Sequence, residues 1–313
     1  MWTACQNKHP ACRIAVANAG RGFCYHLGMG GTLTIGDILA KGAAWLAVKG
    51  VEDADVQVQW LASAYLPARR TELASRLADK ADQQFTERMR SAMVRMAKGE
   101  PIQYVLGEWD FRLLTLKTDS RALIPRPETE QLVSLVLEEP DLKAIPSPVI
   151  CDVGTGTGCI AISIAIEMPS SKCVAIDMDE GALSLARENA LRCGASVEFR
   201  HGRNLVGFGA ASVDAVVSNP PYIDAAGMEA LPRHIIDHEP RVALYGGVDG
   251  LDVIRSLVND AAIALRRGGW CFLEIGDGQG EPVRAILEDA GFSSVSILKD
   301  FAGLDRYAKA HIL

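Results

Sequence analysis

The feature that most constrains the fold is a regular alternation of short apolar strands and helices that begins near Pro146. Strands are predicted over 149–152, 172–177, 196–200, 213–218, 270–275, 295–298 and 306–310, and helices over 158–167, 180–191, 251–265 and 281–290. Strands that are apolar throughout are typical of a parallel sheet covered by helices on both faces. The last two strands are joined too closely for a crossover helix, so they are predicted as an antiparallel hairpin at one edge. The sequence therefore predicts an α/β fold with a doubly wound, seven-stranded sheet.

Four helices are predicted ahead of this alternation, and they indicate a small helical bundle. The first follows Thr34, which fits an N-cap, and the next two cover 56–65 and 71–77. In the fourth, apolar residues recur every three or four positions and the opposite face is basic. That apolar stripe consists of Phe85, Met89, Met93 and Met96. The stripe is interpreted as core and the basic face as solvated; docking of an acidic or nucleic-acid partner on the basic face is the alternative.

These patterns divide the chain into four parts. We expect a disordered N-terminal extension over 1–33, a helical domain over 34–100, a hairpin linker over 101–120 and the α/β domain over 121–313. Within the linker, Pro101 ends a helix, Gly107 makes a turn and 111–117 reads as a strand. Because there is no run of about 18 uncharged apolar residues, no membrane span is expected.

Charge and cysteine usage narrow the possible partners. The chain has 313 residues and a net charge of −7, and residues 121–313 carry 17 basic and 27 acidic side chains. Such a domain repels phosphate backbones, which argues against direct nucleic-acid binding. None of the eight cysteines is in C-x-x-C spacing, which favours a reduced, cytoplasmic protein without a metal site. Two possible ligand sets, Cys5, Cys12, Cys24 with His26, and His234 with His238, fit no common zinc pattern.

A glycine-rich turn follows the first strand of the alternation and opens a helix. It comprises Asp152, Val153, Gly154, Thr155, Gly156, Thr157 and Gly158. The third glycine comes one residue too early for a dinucleotide fingerprint, and Asp152 is ill placed beside a pyrophosphate. An acidic residue here suits an amine- or sulfonium-bearing ligand such as S-adenosylmethionine. Asp177, at the end of the second strand, can accept both hydroxyls of a ribose, although a turn or N-cap aspartate is the alternative. These residues alone indicate a nucleoside cofactor.

The segment Asn219-Pro220-Pro221-Tyr222 follows the fourth strand of the alternation. Prolines offer no N–H, so carbonyl oxygens are free to face a cleft. The Asn219 side-chain oxygen and the Pro220 carbonyl can accept two hydrogen bonds from one planar NH₂ group, with Tyr222 as a wall. Such acceptors orient the nitrogen lone pair and favour a tetrahedral nitrogen, which amounts to positioning plus electrostatic stabilisation.

Together these motifs resemble the protein-(glutamine-N5) methyltransferases that modify class I peptide-chain release factors, the HemK/PrmC family. The resemblance spans about residues 34–313. It rests on Pro101–Tyr104 with Gly107 and Phe111, Leu123–Glu130, Gly154–Gly158, Ala186–Ala190, Asn219–Tyr222, Glu239-Pro240 with Ala243-Leu244, Gly246-Gly247 and Asp249-Gly250. The run LIPRPETE upstream of the glycine turn is the most specific part, since NPPY also occurs in methyltransferases that act on DNA and RNA.

The resemblance implies a Rossmann-like methyltransferase domain that transfers a methyl group from S-adenosylmethionine to the glutamine side chain of a Gly-Gly-Gln loop. It implies that Asn219 and Pro220 hold the amide, that Pro221 and Tyr222 contact it, and that the helical domain docks the release factor. It places Phe111 at the mouth of the methyl-donor pocket and has Arg126 and Glu128 brace an interdomain loop. For the brace, an ordinary turn salt bridge is the alternative.

One departure from the family pattern lies after the third strand. The family has Asp followed by Trp or another apolar residue near the adenine, where this chain has Arg203 and Asn204. Asn204 is the candidate replacement for the adenine contact. The alternatives to a release-factor enzyme are an amino-methyltransferase acting on adenine N6 or guanine N2 in nucleic acid, which needs a basic groove and a flipped base, and a non-catalytic nucleoside-binding module.

Overall fold

The computed structural model describes residues 33–66, 69–205 and 207–313. The chain forms two compact units, one ending at Leu106 and the other comprising Gly107–Leu313. The disordered extension and the candidate metal ligands Cys5, Cys12, Cys24 and His26, both considered from the sequence, lie outside the described residues. In the part of the chain that is described, no helix is long and apolar enough to cross a membrane.

The smaller unit is helical. Its helices are α1 (Ile35–Val48), α2 (Ala54–Tyr65), α3 (Leu73–Arg76), α4 (Gln83–Met96) and α5 (Ile102–Leu106). Thr34 is the N-cap of α1, as predicted: its side chain accepts a hydrogen bond from the Asp37 N–H, and the Asp37 carboxylate accepts one from the Thr34 backbone N–H. The predicted apolar stripe of α4 is buried. Helix α5 was not predicted; it begins just after Pro101, because proline ends one helix but is also tolerated in the first turn of the next.

The larger unit contains the remaining elements. In chain order they are β1 (Glu108–Phe111), β2 (Leu114–Lys117), α6 (Pro127–Glu138), α7 (Pro140–Ala144), β3 (Val149–Val153), α8 (Cys159–Glu167), β4 (Lys172–Asp177), α9 (Glu180–Cys193), β5 (Val197–His201), β6 (Val213–Ser218), α10 (Ala225–Ala230), α11 (Arg233–His238), α12 (Asp252–Ala264), β7 (Leu265–Glu274), α13 (Gly280–Asp289), β8 (Phe292–Lys299) and β9 (Asp305–Ile312).

Seven of these strands form one sheet, in the order β5-β4-β3-β6-β7-β9-β8. The strands from β5 to β7 pair in parallel, and β9 is antiparallel to both of its neighbours. Neighbouring residues of β3 belong to different buried clusters, with Ile150 in one and Cys151 in the other. Because successive side chains of a strand point to opposite faces, the sheet is covered on both sides. The predicted α/β fold and its antiparallel edge hairpin are confirmed.

The segment 111–117 differs from its prediction as a single strand. Strands β1 and β2 form a two-stranded antiparallel hairpin, and the chain turns at Arg112, whose φ is 52°. The Arg112 guanidinium donates to both carboxylate oxygens of Glu167, and its backbone N–H donates to Glu130. These contacts fasten the hairpin turn to helices α6 and α8 of the same unit.

Candidate active site

The described residues form a cavity of about 450 Å³ at the carboxyl ends of β3, β4 and β6. In a parallel sheet these ends meet at one edge, which is where ligands bind in doubly wound folds. The sequence-predicted residues that line this cavity are Gly154, Thr155, Gly156, Thr157, Asp177, Asn204, Asn219, Pro220 and Pro221. The glycine turn and the segment after β6, which are 61 residues or more apart in the chain, thus share one cavity.

The glycine turn adopts a backbone that few other residues tolerate. Gly154 and Gly156 have φ values of 72° and 57°. The backbone N–H groups of Gly154 and Thr155 both donate to the Ile176 carbonyl at the end of β4, which fastens the turn to the neighbouring strand. A Cβ added to Gly154 would meet nothing within 4 Å, so the turn leaves open space for a ligand to approach its backbone.

Gly158 and Asp152 have supporting positions rather than places in the cavity lining. A Cβ on Gly158 would lie 2.8 Å from Ile162 and 3.2 Å from the Ala186 side chain, so glycine allows α8 to pack closely against α9. Asp152 is 1% exposed, and its Oδ2 accepts hydrogen bonds from the Thr155 hydroxyl and the Ala161 N–H. Burial raises the pKa of Asp152 to about 7. Gly158 and Asp152 thus support the turn from behind, and their contact with a ligand stays a prediction.

Asp177 lies at the end of β4 and lines the cavity beside the glycine turn. Its Oδ2 accepts from the Gly156 N–H at 2.9 Å, and its Oδ1 accepts from the Asp179 N–H at 2.9 Å. Burial raises the pKa of Asp177, and these backbone hydrogen bonds oppose that rise. Asp179, rather than Asp177, caps helix α9. Each Asp177 oxygen keeps a further lone pair for a hydroxyl group.

The segment after β6 divides between two surfaces. Asn219, Pro220 and Pro221 line the cavity, whereas Tyr222 lines a separate, more open depression that includes Gln279. The Tyr222 side chain packs against the buried cluster formed by β3, β7 and α12. The structure thus does not bring the Tyr222 ring into the lining of the cavity, where the sequence pattern had placed it as a wall.

A glycine pair downstream holds this segment in place. A Cβ on Gly246 would lie 2.6 Å from the Pro221 carbonyl oxygen, and one on Gly250 would lie 2.4 Å from the Tyr222 carbonyl oxygen. The Gln279 amide also donates to the Tyr222 carbonyl at 3.0 Å. Close backbone packing of this kind leaves no room for a side chain, so both positions require glycine.

Two residues to which the sequence assigned no role support Asn219 through hydrogen bonds: Thr129 contacts Asn219, and Glu274 contacts Thr129. The Asn219 Nδ2 donates to the Thr129 hydroxyl at 3.1 Å, and that hydroxyl donates to Glu274 Oε2 at 2.8 Å. Thr129 lies in the first turn of α6, and Glu274 ends β7. A single acidic residue within the apolar run 270–275, near the edge of the sheet where ligands bind, is the signal that would have found Glu274 from the sequence.

Three further predictions concern Asn204, Arg203 and Phe111. Asn204 and Arg203 both line the cavity, and the Asn204 amide nitrogen donates to Ser256 and Asp260 of α12. Phe111 is 1% exposed and belongs to the buried cluster under β1 and α6, so it does not line the cavity. Its predicted place at the mouth of a methyl-donor pocket is corrected here: an apolar ring at the hairpin turn is better buried in the core.

His234 and His238 lie at the two ends of the short helix α11. Within the residues that the structure describes, no group of three His, Cys, Asp or Glu side chains could hold a metal ion.

Arg126 and Glu239 form an ion pair at the edge of the cavity. One Arg126 nitrogen donates to both Glu239 oxygens, at 2.6 and 2.8 Å, and the Glu239 side chain is 2% exposed. The pair joins the start of α6 to the end of α11 within the larger unit. This pair is long-range, with its partners 113 residues apart along the chain, so it is not the turn salt bridge considered as the alternative for Arg126 and Glu128. The interdomain brace stays a prediction.

We expect Arg126→Ala to destabilise the protein by about 2 kcal/mol, because a buried carboxylate then loses its partner. This should lower Tm by roughly 4–8 °C. Arg192→Ala is the matched control, since Arg192 and Glu108 pair with both side chains about half exposed, and its effect should stay within about 1 kcal/mol. Adding Glu239→Gln to Arg126→Ala should recover part of the loss. Equal Tm values for Arg126→Ala and Arg192→Ala would contradict the interpretation.

Comparison with known proteins agrees with this architecture. Residues 131–247 match the family description "Methyltransferase small domain", and residues 37–107 match "PrmC N-terminal domain". The release factor glutamine methyltransferase of Geobacter sulfurreducens is 37% identical over 279 residues, covering 89% of this chain and 97% of that protein. The enzyme of the same description from Moorella thermoacetica is 38% identical over 281 residues, covering 88% and 97%.

A solved structure supports the fold at lower identity. The hMettl16 catalytic domain in complex with the MAT2A 3'UTR hairpin 1 has a TM-score of 0.51 and 16% identity, covering 74% of this chain and 81% of that one. The sheet order, the glycine turn and the family match define an S-adenosylmethionine-dependent methyltransferase. At 37% identity over 89% of its length, the chain belongs to the release factor glutamine methyltransferase family.

S-adenosylmethionine is the cofactor of this class, and the cavity fits it. A volume of about 450 Å³ is within the range of small-molecule sites. Asp177 offers unused lone pairs beside the glycine turn, and the backbone of Gly154 is open to close approach. Apolar residues such as Val253 and Leu257 supply a surface for a planar base. When bound, the cofactor supplies the methyl group.

Proposed function

We propose that this protein methylates the side-chain N5 nitrogen of the glutamine in the Gly-Gly-Gln loop of class I peptide-chain release factors. The observation that carries the proposal is the shared cavity: Asn219 and Pro220 line it together with Gly154, Gly156 and Asp177. A nucleoside cofactor and a planar amide can therefore meet in one space. Relatives at 37–38% identity carry the description of release factor glutamine methyltransferases.

The residue roles follow from hydrogen-bonding capacity. The Asn219 Oδ1 and the Pro220 carbonyl oxygen accept the two N–H groups of the substrate amide, and Pro221 adds an apolar contact beside them. Gly154–Thr157 and Asp177 bind the cofactor, with Asp177 accepting the ribose hydroxyls. Asn204, which lines the same cavity, is the candidate for the adenine contact. Contact of Tyr222 with the amide stays a prediction, since its ring lies outside the cavity lining.

An amide nitrogen is a poor nucleophile because its lone pair is delocalised into the carbonyl group. Two acceptors that hold both N–H groups fix the nitrogen and favour its tetrahedral form as the N–C bond to the methyl carbon develops. With the cofactor bound, the nitrogen would gain the methyl group as the methyl–sulfur bond broke, and one amide proton would then pass to water. These residues need no general base, since the proton is acidic once the nitrogen is alkylated.

We further propose that the helical unit contributes to docking of the release factor and that the protein is cytoplasmic. The basic residues on the exposed face of α4 support the docking role. Free cysteines support a reducing compartment. Burial raises the pKa of the Cys151 and Cys159 thiols to about 12, so these thiols stay protonated and inert.

Transfer of labelled methyl from S-adenosylmethionine tests the proposed function. We expect label in purified class I release factor and none in a release factor whose loop glutamine is replaced by alanine. Duplex and single-stranded DNA and ribosomal RNA serve as competing substrates. Label in nucleic acid alone would contradict the proposal and favour an amino-methyltransferase for nucleic acid. Cofactor binding with no label in any substrate would instead favour a non-catalytic nucleoside-binding module.

A further inference from the structure

A buried hydrogen-bonded chain leads away from the amide-binding residue into the core. Asn219 Nδ2 donates to Thr129 Oγ1, and Thr129 Oγ1 donates to Glu274 Oε2, at 3.1 and 2.8 Å. Thr129 and Glu274 are 2% and 1% exposed. The chain joins the ends of β6 and β7 and the first turn of α6, three elements that are rigid parts of the sheet and its cover.

Which group donates and which accepts in these two hydrogen bonds follows from the number of protons that each group carries. An ionised carboxylate only accepts, and a threonine hydroxyl has a single proton to donate. Thr129 uses that proton in its hydrogen bond to Glu274, so its oxygen can only accept a hydrogen bond from Asn219. Asn219 must then present its NH₂ group to Thr129, which turns Oδ1 the other way. With the reverse amide orientation, two oxygen lone pairs would face each other in a buried site, which is costly.

The charge of Glu274 sets this direction. Burial raises the pKa of Glu274 to about 7, Arg306 and Arg126 lower it, and Glu128 raises it. At about pH 8 the carboxylate form therefore predominates. A neutral acid or amide at this position could donate to Thr129, and Thr129 would then be free to donate to Asn219 Oδ1.

We propose that Thr129 and Glu274 are positioning residues that fix the orientation of the Asn219 side-chain amide, so that Oδ1 is presented to the substrate NH₂ group while Glu274 is ionised. This rests on the proposed function, because it gives a role in turnover to two residues that act through Asn219. Neither residue reacts; each removes an alternative orientation that would offer an NH₂ group to the substrate NH₂.

Thr129→Val and Thr129→Ser separate the effect of the Thr129 hydroxyl from the effect of its side-chain shape, because Val keeps the shape and Ser keeps the hydroxyl. At about pH 8 and saturating release factor, we expect Thr129→Val to lower kcat by ~10–100-fold, the range seen when a supporting hydrogen bond is lost. The dissociation constant for S-adenosylmethionine, measured by calorimetry, should change by less than about 2-fold. Thr129→Ser keeps the hydroxyl and should recover most of the lost turnover.

Glu274→Gln is the second variant, and it tests the positioning role on its own if Thr129→Val does not fold. Its amide can donate to Thr129, so both Asn219 orientations become possible, and we expect kcat to fall ~3–10-fold with unchanged cofactor affinity. Wild-type kcat in both Thr129→Val and Glu274→Gln would overturn the proposal. Loss of cofactor affinity in proportion to kcat would overturn it as well. If the wild-type enzyme itself does not label release factor, the proposed function fails, and the positioning role fails with it.

Discussion

Asn219→Ala is expected to lower kcat for release-factor methylation by ~10²–10³-fold, the size of effect seen when one preorganised polar contact to a transition state is removed. Asn219 lines the cavity with one face and is fixed by Thr129 on the other. Alanine removes the acceptor without a steric clash, so the substrate amide loses one of its two partners. The Pro220 carbonyl remains, which is why some turnover should persist.

The decisive comparison is between turnover and cofactor binding. The dissociation constant for S-adenosylmethionine should change by less than about 3-fold in Asn219→Ala, because a group that acts mainly in the transition state lowers kcat selectively. Asn259→Ala, at an exposed position of α12, is the matched control and should behave as wild type. Equal losses in kcat and cofactor affinity would mean that Asn219 is chiefly a cofactor ligand.

The sequence predicted those parts of the fold that depend on local patterns. Apolar strands, alternating helices and the Thr34 cap are properties of short windows, and each appeared as expected. The prediction of a single strand over 111–117 was wrong because an arginine at the turn, with a φ of 52°, has no turn signature. Its left-handed backbone is stabilised by distant partners, Glu130 and Glu167, which no local pattern shows.

The candidate site was likewise predictable where it depends on local patterns in the sequence. Gly154 and Asn219 directly follow strands and Asp177 ends one, and the topology of a parallel sheet brings strand ends together. Side-chain direction was harder to foresee: Phe111 turned into the core, and Tyr222 packed away from the cavity. Tertiary packing alone brings Thr129 to Asn219 and Glu274 to Thr129. Along the chain, these two residues lie 90 and 55 residues from Asn219. Partners of that kind are not visible in any window of the sequence.

Asp177→Asn is expected to weaken S-adenosylmethionine binding by ~10–100-fold, since a hydrogen bond to a charged group contributes about 1.5–3 kcal/mol. The carboxylate already accepts the Gly156 and Asp179 N–H groups through different oxygens. Asparagine has only one acceptor oxygen, so its NH₂ must face one of these N–H groups or the ribose. Either orientation loses at least one favourable contact and disturbs the glycine turn.

The readout for Asp177→Asn is a dissociation constant, measured by calorimetry in the absence of release factor. The same substitution at Asp82, whose side chain caps α4 through the Phe85 N–H, is the control, because asparagine caps a helix about as well as aspartate. Saturating cofactor should restore much of the kcat of Asp177→Asn, whereas no cofactor concentration should restore Asn219→Ala. This crossed result separates the two halves of the cavity, since one variant is deficient in holding the methyl donor and the other in presenting the acceptor nitrogen. If Asp177→Asn binds the cofactor with wild-type affinity, Asp177 does not bind the ribose and only supports the glycine turn.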